Sequence, residues 1–235
     1  MHIHPRNEST NRYPLYKQIF LDSANQRVLD YGGNRGNLLF FSNFEIEESL
    51  YTSIDVSTAS IEIGKEEFPS AKWYHFDKWN WAYHHEGQKN IPFPDINKQQ
   101  DYIWAYSVFS HTDFAEFLEA IKWFMTFDYK KIALSFLDAD GYDMKEWFRR
   151  RRVDEFGSSV NLPEVYTDDI FYFTNNDNII RSLHAVEKYP YSHFLAFYKV
   201  DWLLSKLQEE NIIATIERPE PGYVPFLVIT SDNNR

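Results

Sequence analysis

The stretch VLDYGGNRGN, residues 28–37, decides the fold of this 235-residue chain. Its apolar start predicts a short strand, and the residues from Gly36 onward predict the start of a helix. The glycines between them allow the backbone to turn tightly and to approach a ligand closely. The free N–H groups at the start of a helix can bind an anion. The stretch therefore predicts a ligand-binding loop in an α/β fold.

Short apolar segments recur along the first 137 residues and predict five strands. They are residues 27–31 (RVLDY), 51–55 (YTSID), 72–76 (KWYHF), 101–106 (DYIWAY) and 131–137 (KIALSFL). Segments that can form helices lie between them, at residues 36–44, 58–67 and 113–127. Strands and helices that alternate at this spacing predict a parallel sheet with crossover helices.

The C-terminal part of the chain has a different pattern. Residues 200–208 predict a helix, and residues 212–217 and 225–230 predict two strands that are joined through a turn at Pro221 and Gly222. Two strands with so short a connection must pair antiparallel. We therefore predict a three-layer α-β-α sandwich, in which a seven-stranded and mostly parallel sheet ends in an antiparallel hairpin.

We expect one domain over residues 1–235, with an N-terminal helical segment at residues 1–25. Residues 138–197 are rich in aromatic side chains, carry two charge clusters and include a possible extra strand at residues 170–174. This segment follows the fifth strand, and ligands of open α/β sheets bind at the carboxyl ends of the strands. We therefore predict that residues 138–197 form a lid over the substrate.

The composition argues against several classes of partner. The net charge of −11 repels phosphate backbones, so we expect no nucleic-acid partner. We also expect no membrane association, because no apolar run approaches the ~20 residues of a membrane span. The absence of cysteine and of a secretory signal at the N-terminus fits the cytoplasm. The basic cluster at residues 149–152 is either a solvated helix face or a patch for an anionic substrate.

The glycine loop does not fit two common nucleotide-binding patterns. A dinucleotide loop requires G-x-G-x-x-G, and Tyr31 occupies the first position in that register. A P-loop requires Gly-Lys-Ser/Thr, which the loop lacks. What remains is an acid at the strand end, Asp30, that is followed by Gly32 and Gly36.

This pattern resembles motif I of the class I S-adenosylmethionine-dependent methyltransferases, D-x-G-x-G-x-G. Asn34 replaces one family glycine and has Gly33 beside it. Asparagine also tolerates the left-handed backbone conformation, so the replacement is acceptable. Residues 101–113 (DYIWAYSVFSHTD) are similar to the fourth motif of the family, and the final hairpin matches its sixth and seventh strands. The resemblance covers residues 10–235, and residues 138–197 match least.

The resemblance implies that the cofactor is S-adenosylmethionine and that S-adenosylhomocysteine is the product. Asp55, at the end of the second strand, would accept hydrogen bonds from both ribose hydroxyls. Asp77, after the third strand, would contact the adenine amino group, and Trp79 or Phe76 would stack on the purine. The full set of expected cofactor-binding residues is Asp30, Gly32, Gly33, Asn34, Gly36, Asp55, Val56, Asp77, Trp79, Tyr106 and Ser107.

The chemistry that the family implies is an in-line displacement at the sulfonium methyl group, without a metal. A neutral oxygen acceptor requires a base, and the candidates are His111 and His193. Adjacent His84 and His85 point apart along the chain, so we expect no metal site there.

The sequence says less about the acceptor. We expect O-methylation of a small or medium-sized specialised metabolite. The alternatives are a methyltransferase that acts on peptide or protein carboxyl or amino groups, a nicotinamide-dependent oxidoreductase, and a non-catalytic scaffold with this fold. The oligomeric state stays open.

Overall fold

The computed structural model describes residue 6 and residues 10–20, 25–80, 84, 86–140, 196–219 and 224–233, together with the backbone of residues 170–172. The strands are β1 (Val28–Tyr31), β2 (Tyr51–Asp55), β3 (Lys72–His75), β4 (Tyr102–Ala105), β5 (Lys131–Ser135), β6 (Leu137–Asp138), β7 (Ile170–Tyr172), β8 (Ala196–Tyr198), β9 (Thr215–Glu217) and β10 (Phe226–Thr230). The helices are α1 (Tyr13–Ile19), α2 (Asn37–Phe41), α3 (Thr58–Glu67), α4 (Phe114–Phe124) and α5 (Val200–Glu209).

The main sheet has seven strands in the order β3-β2-β1-β4-β5-β10-β9. The first five are parallel, and β10 pairs antiparallel with both β5 and β9. This confirms the predicted sheet and its antiparallel end. The chain builds outward from β1 to β3 and then returns to place β4 beside β1. Ligands bind outside the carboxyl ends of the strands at such a point of reversal.

Each face of the sheet is covered by its own apolar layer. Alternate strand residues point to opposite faces, so Leu29 packs with Phe117 and Ile121 of α4, whereas Val28 packs with Tyr16 of α1 and Leu38 of α2. All six side chains are buried, and burial of a side chain such as leucine or phenylalanine stabilises the fold by about 1.5–3 kcal/mol. The sheet therefore lies between two helical layers, as the sequence predicts.

The strand at residues 51–55 and the helix at residues 58–67 have the predicted bounds. Helix α5 extends one residue beyond its predicted end at residue 208, and most other elements are shorter than predicted. The predicted strand at residues 212–217 begins only at Thr215, because the end of α5 uses the residues before it. Asn211 has a left-handed φ of 60°, and the Ile212 N–H donates to the Leu207 carbonyl at 2.9 Å. This is the hydrogen-bond pattern of a Schellman cap.

The predicted fifth strand, residues 131–137, is divided in two. β5 ends at Ser135, and Leu137–Asp138 forms β6, which pairs parallel with β8 in a second sheet of order β6-β8-β7. β7 lies within the predicted extra strand at residues 170–174. Most of the predicted lid, the basic cluster at residues 149–152, His193 and the turn at Pro221 and Gly222 lie outside the described residues.

None of the helices in the described ranges has the length and apolar character that a membrane crossing requires.

Candidate active site

A cavity of about 520 Å³ lies at the carboxyl ends of β1, β2 and β4. Its volume is within the usual range for small-molecule sites, roughly 300–1,000 Å³. Ten of the residues predicted from the sequence line it: Asp30, Gly32, Gly33, Asn34, Asp55, Val56, Trp79, Tyr106, Ser107 and His111. Gly36 and Asp77 do not belong to the lining, although both are described.

The glycine loop has three residues in the left-handed conformation. The φ angles are 76° at Gly32, 52° at Asn34 and 77° at Gly36. A Cβ atom on Gly32 would lie 2.3 Å from a methyl group of Val108, so only glycine fits between β1 and the turn after β4. Gly36 instead packs against Trp73 and precedes α2. Its role in the described fold is to turn the backbone into that helix.

Asp30 is a buried carboxyl group on the cavity wall. Its pKa is raised to about 7. Burial is the main cause, the charge of Asp55 adds to the rise, and a hydrogen bond from the Tyr51 hydroxyl acts against it. A buried carboxylate favours a cation beside it, because a positive charge compensates for the lost hydration. Asp30 is therefore placed to bind a positively charged group in the cavity.

Asp55 connects the end of β2 to the glycine loop. Its Oδ2 accepts the Asn34 N–H and its Oδ1 accepts the Ser57 N–H, both at 2.8 Å. Burial raises the pKa of Asp55, and these two backbone donors act against that rise. Each carboxylate oxygen has a second lone pair available for a ligand hydroxyl. The carboxylate is thus held in a fixed orientation, with acceptor capacity beyond its two hydrogen bonds from Asn34 and Ser57.

The carboxylate of Asp77 is directed to other groups of the chain. It accepts hydrogen bonds from Nε2 of His84 at 2.7 Å and from Nε2 of Gln88 at 2.9 Å, and these bonds lower its pKa. The structure therefore does not bring Asp77 together with the cavity residues, and its adenine contact stays a prediction. Phe76, one residue earlier, does line the cavity, with Phe93 5.3 Å away between ring centroids.

The turn after β4 brings three predicted residues to the cavity. Tyr106 and Ser107 follow the strand directly, and Ser107 has a left-handed φ of 59°. Its N–H donates to the hydroxyl of Ser135 at 2.7 Å. His111 ends the short helical turn Phe109–His111, and its N–H donates to the Val108 carbonyl at 2.9 Å. His111 is the described histidine that lines the cavity.

Glu116 is a lining residue that the sequence analysis missed. It lies in the first turn of α4, where its N–H donates to the capping carboxylate of Asp113 at 2.8 Å. Burial raises the pKa of Glu116 to about 7, and the charge of Asp113 adds to the rise. The Asp-x-x-Glu spacing at a helix start is a capping signal. It could have located the start of α4, but not the direction of this side chain.

Arg12 is another lining residue that the sequence did not indicate, and it precedes α1. Its guanidinium carbon lies 4.8 Å from the centroid of the Tyr106 ring. Among the described residues, none forms a hydrogen bond with its buried Nε atom. An arginine with unused donors is suited to a carboxylate ligand. No motif marks Arg12 in the sequence.

The comparisons with known proteins agree with this geometry. A family model described as a methyltransferase domain matches residues 29–126. The search of curated proteins found no match.

Many solved structures share the fold at low sequence identity. CalS10, an amino pentose methyltransferase from Micromonospora echinaspora with bound S-adenosylmethionine, is 10% identical with a TM-score of 0.54, over 96% of this chain and 91% of that chain. The PH0226 protein of Pyrococcus horikoshii is 15% identical with a TM-score of 0.53, over 94% and 88% of the two chains. DesVI of Streptomyces venezuelae is 9% identical with a TM-score of 0.52, over 93% and 88%.

The match over residues 29–126 includes the glycine loop, Asp55 and the turn after β4, which together line the cavity. In the seven-stranded sheet, the glycine loop follows β1, which lies between β2 and β4 at the point where the strand order reverses. Residues 29–126 are therefore similar to a methyltransferase domain, and the fold of the chain is shared by solved structures that include a methyltransferase with bound S-adenosylmethionine.

Proposed function

We propose that this chain is a class I, Rossmann-like methyltransferase that uses S-adenosylmethionine to methylate an oxygen atom of a small or medium-sized organic acceptor by direct in-line displacement. The observation that carries the proposal is that one cavity is lined both by the glycine loop with Asp55 and by His111. The glycine loop and Asp55 suit the methyl donor, and His111 can act as the base that a hydroxyl acceptor requires.

The lining suggests how the donor binds. Asp55 accepts the ribose hydroxyls through the lone pairs that its backbone donors leave free. The purine lies near Val56, Phe76 and Trp79, which follow β2 and β3. The buried carboxylate of Asp30 pairs with the α-amino group of the donor. The guanidinium of Arg12 binds its carboxylate, which supplies the missing partner for the buried Nε atom.

The cavity also suits the sulfonium group and the reaction. Aromatic rings of Tyr31, Trp104, Tyr106 and Phe109 line it, and ring faces attract a cation. The acceptor oxygen attacks the methyl carbon in line with the sulfur, so the new C–O bond forms as the C–S bond breaks. His111 takes the proton of the hydroxyl group. S-adenosylhomocysteine and the methylated acceptor leave.

The acceptor class is inferred from charge and from the fold comparison. The net charge of −11 disfavours a nucleic-acid acceptor. CalS10, which shares the fold, is an amino pentose methyltransferase involved in calicheamicin biosynthesis. A specialised metabolite in the cytoplasm is therefore our first candidate, and residues 138–197 are the segment that we propose to cover it.

The test has two stages. Isothermal titration with S-adenosylmethionine and S-adenosylhomocysteine, with NAD as control, is expected to show micromolar binding of the first two alone. Methyl-labelled donor is then offered with sugars, phenols, amines and carboxylic acids. Label in a base-stable ether supports the proposal. Label in a base-labile ester or in an amine would contradict O-methylation of a hydroxyl group, and transfer to peptides alone would contradict the small acceptor.

A further inference from the structure

A group of three side chains outside the cavity has the composition of a metal site. His75, Asp77 and His84 each offer one ligand atom, and all three atoms lie within 4.8 Å of one another. None of the three lines the cavity. In the sequence His84 is the neighbour of His85, whereas the fold places it beside His75 and Asp77.

We propose that His75, Asp77 and His84 bind a divalent transition-metal ion of the zinc class. Two imidazole nitrogens and one carboxylate oxygen are a common donor set for such ions. Nε2 of His84 and Oδ1 of Asp77 are already 2.7 Å apart. Two tetrahedral ligands at the usual bond lengths of about 2.0–2.1 Å are separated by about 3.3 Å. Small side-chain movements therefore convert this hydrogen-bonded pair into a pair of ligands.

The backbone holds the three side chains on one side of the chain. His75 is the last residue of β3, and Asp77 follows it by two residues. His84 lies beside them and exchanges two backbone hydrogen bonds of 2.9 Å with Asn80. The His75 and His84 rings are 5.4 Å apart between centroids and nearly perpendicular. The cluster therefore needs little ordering when an ion binds.

Neighbouring groups also orient the proposed ligands. Nε2 of His75 lies 3.1 Å from the Val56 carbonyl oxygen and 3.1 Å from the Thr58 hydroxyl, and these two contacts orient the ring. Gln88 donates to the second oxygen of Asp77 at 2.9 Å. Metal-binding histidines usually donate their other ring N–H to a carbonyl or carboxylate, and ligating carboxylates are themselves hydrogen-bonded. Both features are present before any metal binds.

The position of the site suggests a structural role beside the cofactor loop. His75 contacts Val56, and Val56 lines the cavity next to Asp55. A bound ion would join the end of β3 to the turn that carries His84. Because the three residues lie outside the lining, the ion would not contact the reacting methyl group.

The test measures zinc binding by the untagged, full-length chain against a chromophoric competing chelator. We expect one zinc ion per chain with micromolar affinity, and a loss of at least tenfold in His75→Gln and His84→Gln. Glutamine at position 84 can still donate a hydrogen bond to Asp77, so the turn is preserved. The control His111→Gln removes a histidine from the cavity and is expected to bind zinc as the wild type does.

Cobalt substitution supplies a second measurement. The visible spectrum of bound Co²⁺ is expected to show four-coordinate nitrogen and oxygen ligation, and to disappear in His84→Gln while its circular dichroism stays that of the wild type. Equal zinc affinity in the wild type and in both glutamine variants would overturn the proposal. So would zinc binding that His111→Gln abolishes. This result is independent of methyl transfer, because it uses neither donor nor acceptor.

Discussion

Replacing Asp55 by alanine is the sharpest test of the cofactor site. The change removes a carboxylate whose two oxygens hold the N–H groups of Asn34 and Ser57 and, as we propose, the two ribose hydroxyls. A hydrogen bond to a charged group contributes about 1.5–3 kcal/mol. Two ribose bonds at the lower value give about 3 kcal/mol, which corresponds to about 150-fold in Kd.

Asparagine at position 55 is expected to have an intermediate effect. Its amide oxygen can still accept one of the two backbone N–H groups, but its NH₂ group faces the other donor. We therefore expect Asp55→Asn to bind S-adenosylhomocysteine more weakly than the wild type and more tightly than Asp55→Ala. The measurement is isothermal titration with S-adenosylmethionine and S-adenosylhomocysteine at fixed salt concentration.

Asp101 directly precedes β4 and offers a matched control at the end of the parallel strands that is opposite the cavity. Its Oδ2 accepts the Arg27 N–H at 2.8 Å, and Lys130 lies 3.1 Å from its Oδ1. Asp101→Asn therefore weakens a comparable carboxylate–backbone bond without touching the cavity, and its cofactor affinity is expected to be that of the wild type. A folded Asp55→Ala variant whose Kd stays within threefold of the wild-type value would refute the assignment.

The other predictions concern the cavity wall. The protonated Glu116 contributes stability that is present below its unfolded pKa and lost as the pH rises through about 7. The melting temperature of Glu116→Gln is therefore expected to rise relative to that of the wild type between pH 5 and pH 8. A difference that stays constant with pH would contradict the burial of Glu116. Asp30 has a pKa of about 7 for the same reason, so donor binding should release a proton in calorimetry with buffers of different ionisation enthalpy, except in Asp30→Asn. Gly32→Ala should weaken donor binding at least tenfold, because its Cβ meets Val108 and left-handed alanine costs about 1–2 kcal/mol; normal affinity would refute the close approach. His111→Ala should lower kcat but leave donor affinity nearly unchanged, and unchanged turnover would make it a turn residue.

The sequence predicted the centre of the site because its signals are local. A left-handed position favours glycine or asparagine, and Gly32, Asn34 and Gly36 all have positive φ angles. The apolar strand segments fixed where the carboxyl ends fall, so Asp55 could be placed at the cavity from chain position alone. These predictions needed no knowledge of the contacts between distant parts of the chain.

Asp77 shows where this reasoning ends. Its position after β3 is readable from the sequence, but the direction of its side chain depends on His84 and Gln88, which belong to an irregular turn. No periodicity predicts that the turn comes back over the strand end. The same turn assembles the proposed metal site, so both the displaced carboxylate and the histidine pair were invisible to pattern analysis.

Arg12 and Glu116, which the sequence did not indicate, lie on opposite faces of the sheet. Arg12 belongs to the side of α1 and α2, and Glu116 belongs to the side of α4. Arg12 stacks on Tyr106, which packs against the α1 and α2 layer, whereas Glu116 is in the first turn of α4. As we propose, the glycine loop and Asp55 bind the methyl donor, which is the same for every acceptor. Differences in substrate among enzymes of one fold must therefore arise from the surrounding side chains. Arg12 precedes α1 and Glu116 follows β4, so neither belongs to the glycine-loop motif. We assign Arg12 to the donor carboxylate and give Glu116 no donor contact, so Arg12 substitutions are expected to weaken donor binding, whereas Glu116 substitutions are expected to change the choice of acceptor.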